Sequence, residues 1–315
     1  METRLSRLLG IRHPVIQGGL AYLAYAELAA AVSNAGGLGQ VTATFVGEAG
    51  WLRQEIAKMR RLTEKPFGVN FALGRHFSPE LLDVVLEEKV PVVSITGGNP
   101  EPLLARLAGS GVVTMVLVAG VRQAVKAESL GASVVVAVGC EGGGHIGRDD
   151  TTTLVLVPRV AQAVKVPVVA AGGIASGRQL VAALALGAEG IEMGTRFVAT
   201  RECVAHPNYK QALVAAKETD TLVIERTIGR PGRALRGPRS ERILALEARG
   251  ALTEELLPYI SGEANRRAAI EGLMDEGFAW AGESVGFIDD VPSVAELLER
   301  LMAEAEAARR RVCEA

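Results

Sequence analysis

Aromatic residues make up only 4% of the chain although hydrophobic residues make up 49%. A core of any size must therefore be built from Ala, Val and Leu, the usual filling around parallel strands covered on both faces. Cysteine is scarce as well. Cys140, Cys203 and Cys313 are odd in number, far apart and without CxxC or His spacing, so neither a zinc site nor a disulfide framework is expected. Neither sign of charge is in large excess, and a formal net charge of -2 gives no electrostatic case for nucleic acid. No apolar run approaches the roughly eighteen residues of a membrane span. The first thirteen residues, METRLSRLLGIRH, scatter charge and lack the apolar stretch of a secretory signal. The expectation is a cytoplasmic protein with neither nucleic acid nor a membrane as partner; these absences carry no signal of oligomeric state.

Short β-branched runs alternate with helical patterns through the first two thirds of the 315 residues. Strands are predicted within 13–18, 38–43, 66–73, 90–97, 112–118, 132–139, 167–173 and 190–197, most of them continuously apolar. Between them Leu28, Ala31, Val32 and Ala35 share one helical face, which Gly36-Gly37 ends. Ser78-Pro79 and Asn99-Pro100 each place a capping side chain before a proline, and Gly131 and Gly187 sit where two helices should stop. Eight β-then-α units fit an α/β fold, a (β/α)8 TIM barrel of about 250 residues with an added piece, better than an open doubly wound sheet. The barrel is assigned to 1–208. A smaller, mainly helical lid without clear strands follows over 209–276, and a segment over 277–315 returns to the barrel. That segment includes a capping box at Ser293 and Glu296 that opens an amphipathic helix.

Chemistry in such a barrel sits at the carboxyl ends of the strands. There the sequence places Gln17, Gly18 and Gly19, then Asn70, then Gly97-Gly98. The sixth strand runs into GCEGGGHIG, five glycines in nine residues around Glu141, Gly144 and His145. Glycines let backbone approach a ligand closely, so this stretch is either a binding loop or a surface turn with a solvated histidine. Gly172-Gly173 and Gly194-Thr195 end the seventh and eighth strands, where barrels of this class bind phosphate through backbone N–H groups. A flat, phosphorylated ligand, FMN, would satisfy both places. GxGxxG, GxxxxGK[ST] and GxSxG signatures are missing, and His13, His76, His145 and His206 lack metal-ligand spacing. His13 and His206 both precede prolines and read as structural. The arginines at 226, 230, 233, 236, 239 and 242 form either a solvated loop or a positive rim for an anionic substrate.

PVIQGG, NAGGLG, FGVN, EGGGHIG, AAGGI and GTRF, in this order, resemble the nitronate monooxygenases (2-nitropropane dioxygenases) and their relatives, the flavin-dependent enoyl-ACP reductases and NADH:quinone reductases. The resemblance runs from about His13 to Lys210 and resumes at Trp280-Ala281-Gly282. It implies an FMN barrel, with Gln17, Gly18, Gly19, Asn70, Glu141 and Gly144 near the flavin, Gly172, Gly173, Gly194 and Thr195 around its phosphate, and Trp280 in a segment closing over it. It implies His145 beside the reactive ring. Val138 and Leu117 depart from the family pattern, standing where relatives often carry a polar or acidic residue and a lysine.

Two reactions follow from the resemblance. In one, an alkyl nitronate is oxidised with O2 and His145 is the base or hydrogen-bond donor, a role suited to an imidazole near neutral pH. In the other, NAD(P)H reduces a quinone or enoyl thioester, and the arginine-rich lid meets the nucleotide or carrier phosphates. The monooxygenase is the favoured expectation, because HPNYK and ILALEARG join EGGGHIG in resembling that group. A regulatory barrel without catalysis is disfavoured by the ionisable pair in the glycine loop.

Overall fold

A computed structural model describes residues 1–44, 47–74 and 77–314; His76 lies outside them. Each predicted strand run contains an observed strand: β1 (Val15–Gln17), β2 (Gly39–Thr42), β3 (Phe67–Ala72), β4 (Val92–Thr96), β5 (Val113–Val118), β6 (Val134–Val138), then, after the two-residue β7 (Gly144–His145), β8 (Val168–Ala171) and β9 (Gly190–Met193). Apart from β7 these strands form one parallel sheet in the order β1-β9-β8-β6-β5-β4-β3-β2. A parallel bridge between Ile16 and Leu38 joins its two edges, with Gln17 N–H donating to Leu38 O at 3.0 Å. The result is a (β/α)8 barrel.

Alternation along the strands divides the core in two. Ile16, Leu38, Val92, Met115, Val134, Val136 and Val169 fill the interior, and Leu5, Leu9 and Ile11, on and just after α1 (Arg4–Leu9), join them. Gly190 is needed there, since a Cβ on it would come within 2.4 Å of Leu5. Val15, Val41, Val69, Val93, Val135 and Ile191 face outward into the larger core beneath the helices. In that outer layer are α2 (Ala26–Asn34), α3 (Ala49–Leu62), α4 (Glu80–Glu87), α5 (Glu101–Leu107), α6 (Val121–Ser129), α7 (Thr153–Ala163) and α8 (Gly177–Ala185). Gly36, Gly131 and Gly187 take positive φ at the ends of their helices, as expected. Asn99 Oδ1 accepts from Glu101 N–H at 3.1 Å, whereas α4 starts at Pro79 with no side-chain cap bond, so the expected Ser78 cap is not made.

The eighth strand leads only to the one-turn α9 (Thr195–Val198), and the chain then leaves the ring. It returns as α14 (Val294–Glu314), opened by the Ser293 and Glu296 capping box. Leu297, Leu298, Leu301 and Ala305 of α14 pack into the outer core beside α8 and α2. The last helix of the chain thus closes the ring.

Between these points lie α10 (Pro207–Ala215), β10 (Thr221–Ile224), β11 (Gly232–Leu235), α11 (Pro238–Ala248), α12 (Thr253–Ile260) and α13 (Gly262–Ala269). The lid is mainly helical, but the expectation that it has no strands is corrected. β10 and β11 are antiparallel, and β11 pairs with β7 of the barrel's glycine loop, Gly232 opposite His145 and Arg233 opposite Gly144. Runs of four residues, one of them the unpatterned GRAL, hold too few periods to register as strands; pairing with β7 makes them so. A second small core of Leu222, Ile224, Ala234, Ile243, Leu246, Leu256, Ala264 and Phe278 holds the lid, while Tyr209 and Leu213 of α10 belong to the barrel's outer core. Among the described residues no helix is long and apolar enough to cross a membrane.

Candidate active site

The barrel interior turns polar toward the carboxyl ends of its strands, beside Gly18 and Gly19. Asn70 is buried on β3, its amide donating to Ser94 Oγ at 2.9 Å and Thr96 Oγ1 at 3.1 Å. Its Oδ1 lies so near Gly19 that a Cβ there would approach to 2.2 Å. Gly18 sits against Glu192 in the same way, at 3.0 Å. Gln17 is wholly buried and works in the β1/β2 seam, where its Oε1 accepts from Gln40 N–H at 3.0 Å while Gln40 Nε2 donates to Gln17 O at 2.9 Å. Burial raises the Glu192 carboxyl to about 7. Glu192 Oε2 and Gln40 Oε1 are both buried without a hydrogen-bond partner among the described residues. A proton on Glu192 would supply the donor that these acceptors lack.

The glycine loop after β6 is tied down on several sides. Glu141 accepts from Thr153 N–H at 2.9 Å and Thr153 Oγ1 at 3.0 Å, so its carboxylate caps the start of α7. The same hydroxyl lies 2.9 Å from Gly172 O, an alternative acceptor for its single proton, while Gln179 Nε2 donates to Gly173 O at the start of α8. Gly172 and Gly173 have φ of 91° and 71°, and a Cβ on Gly172 would stand 2.8 Å from Gly139 O. The segment after Trp280 bridges two turns: Gly282 N–H donates to Thr195 Oγ1 at 3.0 Å, and Glu283 N–H to Glu141 O at 2.9 Å. Gly143 and Gly282 pack so closely that a Cβ on either would approach the other's backbone N to within 2.9 Å.

His145 therefore stands on a strand, not on a loose loop, and its ring lies 5.2 Å from that of Trp280. Gly232 makes room for Trp280, since a Cβ there would meet the indole at 2.7 Å. His145 Nε2 is 3.6 Å from Glu225 Oε2 and 3.4 Å from an Arg230 guanidinium nitrogen. Glu225 and Arg230 were missed individually: the first directly follows β10, a strand that sequence periodicity did not reveal, and the second was one of six arginines. Glu192 carried a signal, an acidic residue inside the apolar run GIEM. The arginines separate. Arg233 donates to Cys140 O at 3.0 Å and Thr221 Oγ1 at 3.2 Å and pairs with Glu283 at 2.9 Å. Arg226 pairs with Asp150, Arg236 with Glu241, and Arg239 lies over the Tyr259 ring. His13, whose imidazole burial lowers to about 4, accepts from Arg12, and His206 Nδ1 accepts from Asn208 N–H at the start of α10. Val138 and Leu117 border the barrel's apolar interior. Among the described residues no cluster of His, Cys, Asp or Glu could hold a metal.

Glycine-lined turns at the ends of β1, β8 and β9, beside buried polar atoms without partners, fit a flat ligand that approaches backbone closely. The family model for nitronate monooxygenase matches residues 2–80 and 73–304. A nitronate monooxygenase of Pseudomonas aeruginosa is 34% identical, over 96% of this chain and 99% of its own. The (3aS,4S,5R,7aS)-5-hydroxy-7a-methyl-1-oxo-octahydro-1H-indene-4-carboxyl-CoA dehydrogenase of Rhodococcus jostii is 33% identical, over 97% and 96%. The structure of FabK from Thermotoga maritima superposes with a TM-score of 0.93 at 41% identity, covering 100% of this chain and 99% of that one.

Proposed function

The chain belongs to the nitronate monooxygenase family, an oxidoreductase family with a flavin cofactor, and from that premise we propose that it binds FMN and oxidises alkyl nitronates with O2. The carrying observation is that β7 brings His145 beside Trp280 at the edge of the glycine-lined barrel mouth. Gly172, Gly173, Gly194 and Thr195 would hold the phosphate, and Gly18, Gly19, Asn70, Glu141 and Gly144 would line the ring side, with the buried Gln17 behind them in the β1/β2 seam. Trp280 would cover it. FMN held there would supply the redox chemistry, the passage of electrons from substrate to O2. His145 supplies the acid–base function: as base it removes the carbon proton of a neutral nitroalkane, and toward a preformed nitronate it acts as hydrogen-bond donor.

The second reading, an NAD(P)H-dependent reductase of a quinone or enoyl thioester, is favoured by the Arg230 guanidinium at the mouth and by near-equal identity to a CoA-ester dehydrogenase. Adding NADH, NADPH and propyl-2-nitronate separately to the oxygen-free, flavin-loaded protein distinguishes the two. Bleaching by the nitronate supports the monooxygenase; rapid bleaching by a nicotinamide nucleotide alone transfers the protein to the reductase reading.

A further inference from the structure

We propose that Glu225 is a positioning residue for His145, its buried carboxylate holding the imidazole proton on Nε2 and so leaving Nδ1 to exchange protons with substrate. This rests on the His145 reading above. The Glu225 side chain is only 2% exposed, against 47% for His145. Among the described residues its Oε2 has no hydrogen-bond partner, and donors facing it are His145 Nε2 at 3.6 Å and Arg230 Nε at 4.0 Å. A buried carboxylate oxygen without a donor is costly, and an N–H on Nε2 is the nearest remedy. Arg230 makes the opposite demand, since a guanidinium nitrogen 3.4 Å away would prefer the Nε2 lone pair. That side chain is 62% exposed, however, and water can serve it. The carboxylate's need is the larger. A separation of 3.6 Å is long for a hydrogen bond, as acid–base pairs are before substrate draws them together.

The backbone supplies an independent observation. Glu225 has φ of 65°, a left-handed conformation natural to glycine and strained for glutamate. Glu247 from α11 fixes it there, accepting from Glu225 N–H at 3.1 Å, Thr227 N–H at 2.9 Å and Thr227 Oγ1 at 2.9 Å. Arg230 N–H closes the turn on Glu225 O at 3.0 Å. Each of these bonds uses the Glu225 backbone or a neighbour, and glycine at 225 would keep them all. The turn is over-determined without the carboxylate, whose oxygen is turned toward His145.

The test uses the flavin-loaded protein with histidine labelled in 15N. Only four histidines need assignment, with His145→Ala identifying the resonance. The wild type should show the Nε2-protonated tautomer at alkaline pH, and E225G and E225Q should lose that preference while the melting temperature of E225G stays level or rises. Nitroalkane turnover should fall about 10- to 100-fold in both variants, mainly in kcat, with partial recovery in E225D. An Nδ1-protonated His145 in the wild type, or a tautomer unchanged in both variants, overturns the proposal even if turnover falls. A changed tautomer with unchanged turnover supports the pairing and instead removes His145 from catalysis.

Discussion

Charged groups on the two flanks of the glycine loop differ in whether their bonds are made. On one flank Glu141 is held by Thr153, and Arg233 by Cys140, Thr221 and Glu283. On the other, Glu225 Oε2 is buried without a partner beside a half-exposed His145. Satisfied charges hold a loop in shape, whereas a buried acceptor left short of a donor marks a place where a proton or ligand completes the structure. Sequence alone treated Glu141 and His145 as one ionisable pair. The structure assigns them to different flanks.

The comparison breaks most completely if the loop can be changed without losing flavin. Gly173→Asp adds charge at the proposed phosphate site, at a backbone φ of 71° and with its Cβ 3.1 Å from Glu141. Flavin binding should be abolished, read by fluorescence titration; undiminished affinity would place the phosphate elsewhere. Next in size is His145→Ala. Proton transfer by a placed side chain contributes typically about 10²- to 10⁴-fold, so nitroalkane turnover should drop within that range and turnover of preformed nitronate by less. Equal small losses with both substrates would exclude His145 as the base.

The barrel was legible because eight β-branched runs repeat one unit, and the turns at Gly172-Gly173 and before His145 because glycines that follow an apolar run mark the end of a strand. The lid sheet was not, since β10 and β11 become strands by pairing with β7, a contact far away in sequence. Glu225 could not be found without that sheet. Gln17 and Asn70 were read from their positions at strand ends, but nothing in the sequence says that Gln17 serves the β1/β2 seam while Asn70 faces Gly19.

Glu192 extends the comparison into the barrel, as a buried carboxyl whose bonds are incomplete unless it carries a proton. Its value of about 7 in the fold lies above the ordinary 4.5. Below about pH 4.5 the acid is neutral in both folded and unfolded chains. As pH rises from there to about 7, the unfolded chain ionises and the folded one does not, so stability falls by roughly 3 kcal/mol and then levels off. Glu192→Gln should remove that slope and leave the protein more stable at pH 8, by denaturant midpoint across the range. A slope that survives the substitution would show that Glu192 is ionised in the fold.

Among the arginines the effects are smaller and divide by flank. Arg233 is 11% exposed and bonds to Cys140, Thr221 and Glu283, so Arg233→Ala should lower stability by roughly 1–3 kcal/mol without flattening any salt dependence of KM. Arg230 is the reverse case, exposed and beside His145, and is thus the arginine placed to meet a substrate anion. Attraction across partly solvated distances is modest and screened by salt. Arg230→Ala should raise KM for an anionic substrate only a few-fold at low ionic strength, with the difference vanishing by about 0.5 M salt. Arg236, paired with Glu241 at 3.4 Å, provides the control, and its alanine variant should match the wild type throughout. If Arg230→Ala also matches the wild type at every salt concentration, the exposed guanidinium is solvated surface, and the incomplete flank is confined to His145 and Glu225.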